Sequence, residues 1–345
     1  MRKLPVQNPN SRFDARDLEY DEGQAPDADV HILEDHTRAI LSKNTSPDIG
    51  FSYSINPYRG CMHACAYCYA RPTHEYLGFG AGTDFDRKIV VKREAAALLR
   101  EAFDKKSWKG ERVVFSGVTD CYQPIESKLQ LTRACLEVCL AYRNPVGIIT
   151  KSALIERDID VLTALARCTQ LYVGISVPFL DPERARALEP YAPSPAVRLR
   201  TMRRLADAGI EVGVSVAPVI PGLSDEEIPA ILAAAWDHGA KSAGFVLLRL
   251  PGAVKEVFET RIKAAMPLRA EKILRRIREA HEGELYRAEF GTRQRGSGTY
   301  AEHVAQLFEA SAKRCGFRTY SPERPYEEPP EPSFRRPTPQ LGLFG

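Results

Sequence analysis

The sequence predicts an α/β fold made of six β/α repeats around a parallel sheet, and three observations predict it. Short apolar runs rich in Val and Ile alternate with longer segments whose apolar residues recur at three- and four-residue steps. This alternation holds from Phe51 to about His281, as crossover-connected parallel strands require. Glycine and proline mark several of the changeovers.

Taken in order, the first strand is Phe51–Ile55 and helical spacing follows at Arg93–Phe103. Strand Arg112–Ser116 leads to helix Leu129–Tyr142, Val146–Thr150 to Arg157–Arg167, and Leu171–Ser176 to Ala196–Ala208. Gly209 then reads as a helix stop. Strand Ile210–Ala217 leaves through a loop punctuated by Pro218, Pro221 and Gly222, before helix Asp225–Asp237 and strand Ala243–Leu250. A barrel lacking two units and an open doubly wound sheet both fit this pattern.

Four zones are expected. Residues 1–45 read as an extended acidic arm, 46–284 as the α/β body, 285–318 as a C-terminal extension on a possible substrate side, and 319–345 as a Pro-rich flexible tail. In the extension, the glycines of Gly291-Thr-Arg-Gln-Arg-Gly-Ser-Gly-Thr-Tyr300 point to close backbone approach.

At 345 residues, 44% hydrophobic and 27% charged, the composition is that of a globular chain, not a disordered, collagenous or membrane one. No apolar run approaches the length of a spanning helix and the first residues do not read as a signal peptide, so a cytoplasmic protein is expected. The net charge of +3 is uneven: residues 1–50 carry −4 and the rest +7, concentrated in Arg184–Arg204 and Arg269–Arg318. Such clusters can meet phosphates or simply be solvated.

The sharpest signal is Cys61-Met-His-Ala-Cys65-Ala-Tyr-Cys68, three thiols directly after the first strand. Three ligands are one short of a closed zinc site, which His63 or a distant cysteine could complete. They suffice for an iron–sulfur cube that keeps one iron open to a small molecule. Loops after barrel strands form active sites, which favours the cube over a structural knuckle. Cys135, Cys139, Cys168 and Cys315 read as buried structural thiols.

C-x3-C-x2-C with an aromatic before its third cysteine, after the first of six β/α units, resembles the radical S-adenosylmethionine (radical SAM) superfamily. The runs Ile55-Asn-Pro-Tyr-Arg-Gly-Cys61, Ala64-Cys-Ala-Tyr-Cys-Tyr-Ala70, Val118-Thr-Asp-Cys-Tyr-Gln-Pro124 and Ile149-Thr-Lys-Ser152 resemble its spore photoproduct lyase-related group. The resemblance implies a partial (β/α)6 TIM-type barrel and a [4Fe–4S] cluster held by Cys61, Cys65 and Cys68. It also implies S-adenosylmethionine (SAM) as cofactor and an electron donor such as flavodoxin or ferredoxin. By the same resemblance Tyr67 lies along the adenine and Ser116 and Gly117 meet the methionyl amino group. Lys151, Ser152 and Ser176 are polar partners for ribose or carboxylate, Arg198 pairs with the carboxylate, and Ile220 and Leu248 line the adenine. In spore photoproduct lyase the hydrogen-donating cysteine falls on Gly117, so here Cys121 or Tyr122 is the candidate donor.

The chain ends in Gln340-Leu341-Gly342-Leu343-Phe344-Gly345, which resembles the motif that docks bacterial replication and repair proteins on the DNA polymerase sliding clamp. Leu341, Leu343 and Phe344 would be apolar anchors, with Gln340 hydrogen-bonding at the rim. That resemblance implies a DNA substrate, lyase-like base-lesion repair, and phosphate contacts from Arg198–Arg204 and the Arg293–Gly298 loop. RNA or small-molecule modification and a non-catalytic metal protein are the alternatives.

Overall fold

A computed structural model describes residues 8–9, 29–319 and 332–337. Its strands are β1 (His31–Glu34), β2 (Leu41–Lys43), β3 (Tyr53–Ile55), β4 (Tyr58–Arg59), β5 (Lys88–Val91), β6 (Val113–Phe115), β7 (Val146–Thr150), β8 (Leu171–Ser176), β9 (Val212–Val219), β10 (Ser242–Leu247) and β11 (Arg318–Thr319). The main sheet runs β11-β10-β9-β8-β7-β6-β3-β2, parallel throughout except for the β2–β3 pair. Its end strands do not pair, so the six consecutive parallel strands β3, β6, β7, β8, β9 and β10 form a partial barrel.

The pairing register shows why the inside of this curve stays open. Ser54, Val114, Gly147 and Tyr172 share one inner layer; Ile149, Gly174, Gly213 and Ser242 the next; Ser176, Ser215 and Gly244 the last. Most are small, so the lumen is not packed as in a closed barrel. Ile149 stays 37% exposed although its strand is paired on both sides. Tyr172 fills the floor, where a Cβ on Gly213 would lie 2.4 Å from its hydroxyl. The alternate residues, including Ile148, Val173, Ile175 and Val214, enter the main core.

Three expectations change. In the expected 1–45 arm, the described residues 29–45 are built into the fold, because β2 joins the main sheet and β1 pairs with β5 in a small β1-β5-β4 sheet. The 285–318 extension is built into the sheet: Gln294 O accepts from Leu247 N at 2.7 Å. The close approach read from its glycines is made to the sheet itself, since a Cβ on Gly296 would meet Leu247 Cδ2 at 2.5 Å.

The tail is also not free from residue 319 onward. Within Pro332–Pro337, Phe334 packs edge-on to Phe103 and stacks on Tyr142, with Arg335 N donating to Tyr142 O at 2.9 Å. Arg336 donates to the carbonyls of Phe103, Lys105 and Trp108, closing the end of helix Ala95–Asp104. Gly110, at φ +87°, admits the ring: a Cβ there would lie 2.3 Å from Phe334 Cβ. The terminal motif at Gln340, Leu341, Leu343 and Phe344 lies outside the described residues.

Candidate active site

The cysteine loop is held from several sides. Gly60 turns it at φ +79°, where a Cβ would be 2.8 Å from Phe85 O. Gln123, fully buried, donates to Gly60 O at 3.0 Å and accepts from Met62 N at 2.9 Å. Ala66 N donates to Leu188 O and Cys61 N to Phe85 O. The guanidinium of Arg71, fully buried, donates to Cys65 O, Ala81 O and Gly82 O and pairs with Asp86 at 2.9 Å. Sequence reasoning missed Arg71, although an arginine three residues past a ligand loop in an apolar setting was the available signal.

Asp120 couples the loop to two strand ends. It accepts from Thr150 Oγ1 and Lys151 N and lies 3.5 Å from His63 Nδ1. Burial pushes the His63 imidazole down despite Asp120, which favours its neutral form. At the end of β6, Ser116 has φ +69° and its hydroxyl accepts from Cys121 N. Val118 N donates to Asn56 Oδ1 at 2.8 Å. Gly117 has no room for a side chain, since a Cβ would lie 2.8 Å from Ser54 Cβ.

Tyr67, Cys65, Ile220 and Leu248 share one apolar cluster. The Tyr67 hydroxyl donates to Glu189, and Lys151 Nζ stands 5.8 Å from the Tyr67 ring centroid. Burial alone would raise Glu189, but Arg198, Lys151 and the hydrogen bonds from Arg198 and Tyr67 hold it below the usual carboxylate range.

Several expected roles meet groups already in use. Arg198 is 1% exposed, pairs with Glu189 and donates to Ser176 O and Pro193 O, so it is committed to a buried internal pair, which leaving unpaired would cost heavily. The Ser152 hydroxyl caps the 3-10 turn at Ala153–Asp158 by accepting from Leu154 N. Leu248 N donates to Val219 O and its carbonyl is 3.2 Å from His281 Nε2, so both backbone groups are engaged; Ile220 N donates to Ser224. Cys121 and Tyr122, 1% and 0% exposed, are main-core residues. Burial raises both their pKa values, and the Tyr122 hydroxyl donates to Asp158. Arg293 is paired with Asp48 and Arg204 with Glu156, which occupies two of the expected phosphate contacts.

Tyr69 was not singled out from sequence, yet it follows Cys68, is 42% exposed and donates to Gly117 O at 2.7 Å. An exposed aromatic beside the ligand run was the only signal.

A family model of the radical SAM superfamily matches residues 55–235. The chain belongs to the radical SAM superfamily. An uncharacterised protein of Mycobacterium tuberculosis is 38% identical over 219 residues, covering 63% of this chain and 64% of the relative. One from Methanocaldococcus jannaschii is 33% identical over 178 residues, or 52% of this chain and 64% of that one. These matches therefore span less than two thirds of the curated relatives. Spore photoproduct lyase, solved with dinucleoside spore photoproduct, superposes with a TM-score of 0.59 at 18% identity, covering 84% of this chain and 81% of that one. That likeness concerns the fold, and it matches the partial barrel.

The superfamily's cofactors, a [4Fe–4S] cluster and SAM, are those of this chain, and the loop's chemistry fits them. Burial raises all three thiol pKa values, and the Cys61 thiolate is further opposed by Asp120, Cys65 and Cys68. Three thiolates crowded in a dry loop need bound cations to ionise together. Among the described residues no three His, Cys, Asp or Glu side chains are grouped to hold a single ion. A cube asks for no such grouping, because each thiolate takes its own iron.

Proposed function

We propose that this protein is a radical SAM enzyme that cleaves SAM reductively at the mouth of its partial barrel and acts on a damaged nucleotide in DNA. The observation that carries the first part is the placement of Cys61, Cys65 and Cys68. They sit in a loop fixed by Arg71 and Gln123 and tied through Tyr67 and Tyr69 to the strand ends around an open lumen of small residues.

Cys61, Cys65 and Cys68 would hold the cluster, with Tyr67, Ile220 and Leu248 as apolar wall and Lys151 as the cation on the SAM side. A cluster held there, once reduced, would supply the one-electron chemistry that cleaves SAM. The chain's own part is to hold the thiolates, exclude water and place a hydrogen source. Tyr69 suits the last role better than Cys121 or Tyr122, because it directly follows Cys68 and is partly exposed, its hydroxyl held on Gly117 O, while theirs are closed in the core.

Anaerobic reconstitution with iron and sulfide, followed by dithionite and SAM, should yield 5′-deoxyadenosine, and Cys65→Ala should yield none. No product from the unaltered chain would leave a non-catalytic iron–sulfur protein. Two supports favour DNA: the terminal Gln340-Leu341-Gly342-Leu343-Phe344 run, and a fold shared with an enzyme solved with a dinucleoside photoproduct. A labelled peptide of the last 15 residues should bind purified sliding clamp, and Leu343→Ala with Phe344→Ala should abolish binding. No binding would return RNA or a small molecule to first place.

A further inference from the structure

We propose that Arg249 receives a backbone phosphate of the substrate, so that the enzyme acts on a nucleotide within a DNA strand and not on a free base or nucleoside. This rests on the DNA reading above and names the residue through which it would operate.

Arg249 follows β10 by two residues, on the same rim as the cysteine loop. Its backbone position is fixed because Leu248 before it is pinned at both polar groups, to Val219 O and His281 Nε2. From there the guanidinium carbon lies 5.2 Å from the centroid of the Tyr69 ring. Tyr69 is itself anchored by its hydroxyl on Gly117 O at 2.7 Å. The Arg249 side chain is therefore held across the mouth, from β10 to the loop leaving β6.

Beyond the Tyr69 ring, it has no anionic partner among the described residues. Arg249 Nε is buried and makes no hydrogen bond. Among the described residues the guanidinium forms no ion pair, whereas Arg71, Arg198 and Arg293 around the same site each have a carboxylate. A pre-positioned, partly exposed guanidinium whose buried Nε has no hydrogen bond offers a planar fork that an incoming phosphate or carboxylate matches.

The source of that anion follows from which side of Cys68 each cation occupies. Lys151 stands over Tyr67, which is 6% exposed and bonded to Glu189 in the buried network. Arg249 stands over Tyr69, which is 42% exposed. The inner pair faces the cofactor and the outer pair faces whatever enters from solvent. An open tyrosine beside an unpaired arginine is the combination that takes a base and its neighbouring phosphate in a nucleic-acid strand.

The test is anisotropy of labelled single-stranded DNA titrated with the iron-loaded, SAM-bound protein at several salt concentrations, for the unaltered chain, Arg249→Gln and Arg249→Lys. Arg249→Gln should lower the slope of log affinity against log salt by about 0.7 and weaken binding about five-fold at 0.1 M salt, the share of one phosphate contact. Arg249→Lys should keep the slope, since it keeps the charge. One methylphosphonate moved along the strand should weaken the unaltered protein at a single position and leave Arg249→Gln indifferent there, a comparison that also works if the variant is less stable. If the unaltered protein binds DNA and Arg249→Gln binds it with the same slope, the DNA reading stands and this assignment falls. If the unaltered protein binds no DNA, both fall. If Arg249→Gln instead loses SAM affinity with its DNA slope intact, the guanidinium serves the cofactor's carboxylate and the assignment is overturned.

Discussion

Arg71 offers the most demanding check on how the cysteine loop is built. Its guanidinium serves Cys65 O, Ala81 O, Gly82 O and Asp86 at once, all out of water. Arg71→Ala removes every one of these and takes from buried Asp86 its direct ion pair, leaving Arg87 and Arg261 as the other cations near it. Breaking one side of a buried pair costs about 3–5 kcal/mol, more than the pair's own net worth, because the remaining charge stays desolvated. Lysine can still reach a carboxylate but cannot offer a fork to three carbonyls, so Arg71→Lys should fall between the two. Urea unfolding of the metal-free chain under anaerobic conditions measures the loss, and the rate of iron transfer to a chelator reports on the loop in the loaded protein. Arg71→Ala should be destabilised by that amount and release iron faster. A loss below about 1 kcal/mol, the level of an exposed ion pair, would refute the argument that this arginine is the loop's internal brace.

Asp86 should also give a pH signature. Burial pushes its carboxyl up to about 6 even though Arg71 opposes this, so folding favours the neutral form. Its contribution to stability is full below about pH 4, the ordinary aspartate value, and declines as pH rises through about 6; Asp86→Asn should flatten that part of the unfolding profile. Gly117→Ala should cost about 1–3 kcal/mol by overpacking against Ser54, and adding Ser54→Gly should recover most of it; equal stability of the single and double variants would deny the contact. Phe334→Ala should lower stability by about 2 kcal/mol, since its ring is only partly buried against Phe103 and Tyr142, and unchanged urea midpoints would mean that the Pro332–Pro337 segment is not held there.

Much of the fold was legible because its signals are local. Val146–Thr150 and Leu171–Ser176 appear in the structure with the bounds their apolar runs predict. The helices differ by a few residues at their ends, as with Ala95–Asp104 against an expected Arg93–Phe103. β1 and β2 were missed because three- and four-residue strands with exposed side chains carry no periodic signal, and their pairing partners decide their form. The docking of Phe334 was missed for a related reason. Composition shows that a Pro-rich segment cannot build a core of its own, but it is silent on whether a groove beside Gly110 will accept one ring.

The site divides in the same way. By themselves, the residues of the sequence determined the three-thiol loop, its aromatic neighbour and the order of β/α units, because ligand spacing and hydrophobic period are properties of adjacent residues. Only the tertiary structure decided which polar groups are free to act. Arg198 is neutralised by Glu189, Tyr122 is tied to Asp158, and Arg249 has no carboxylate partner among the described residues. Whether a charge is spent inside the fold or offered to a ligand depends on what burial brings beside it, and those partners come from distant parts of the chain.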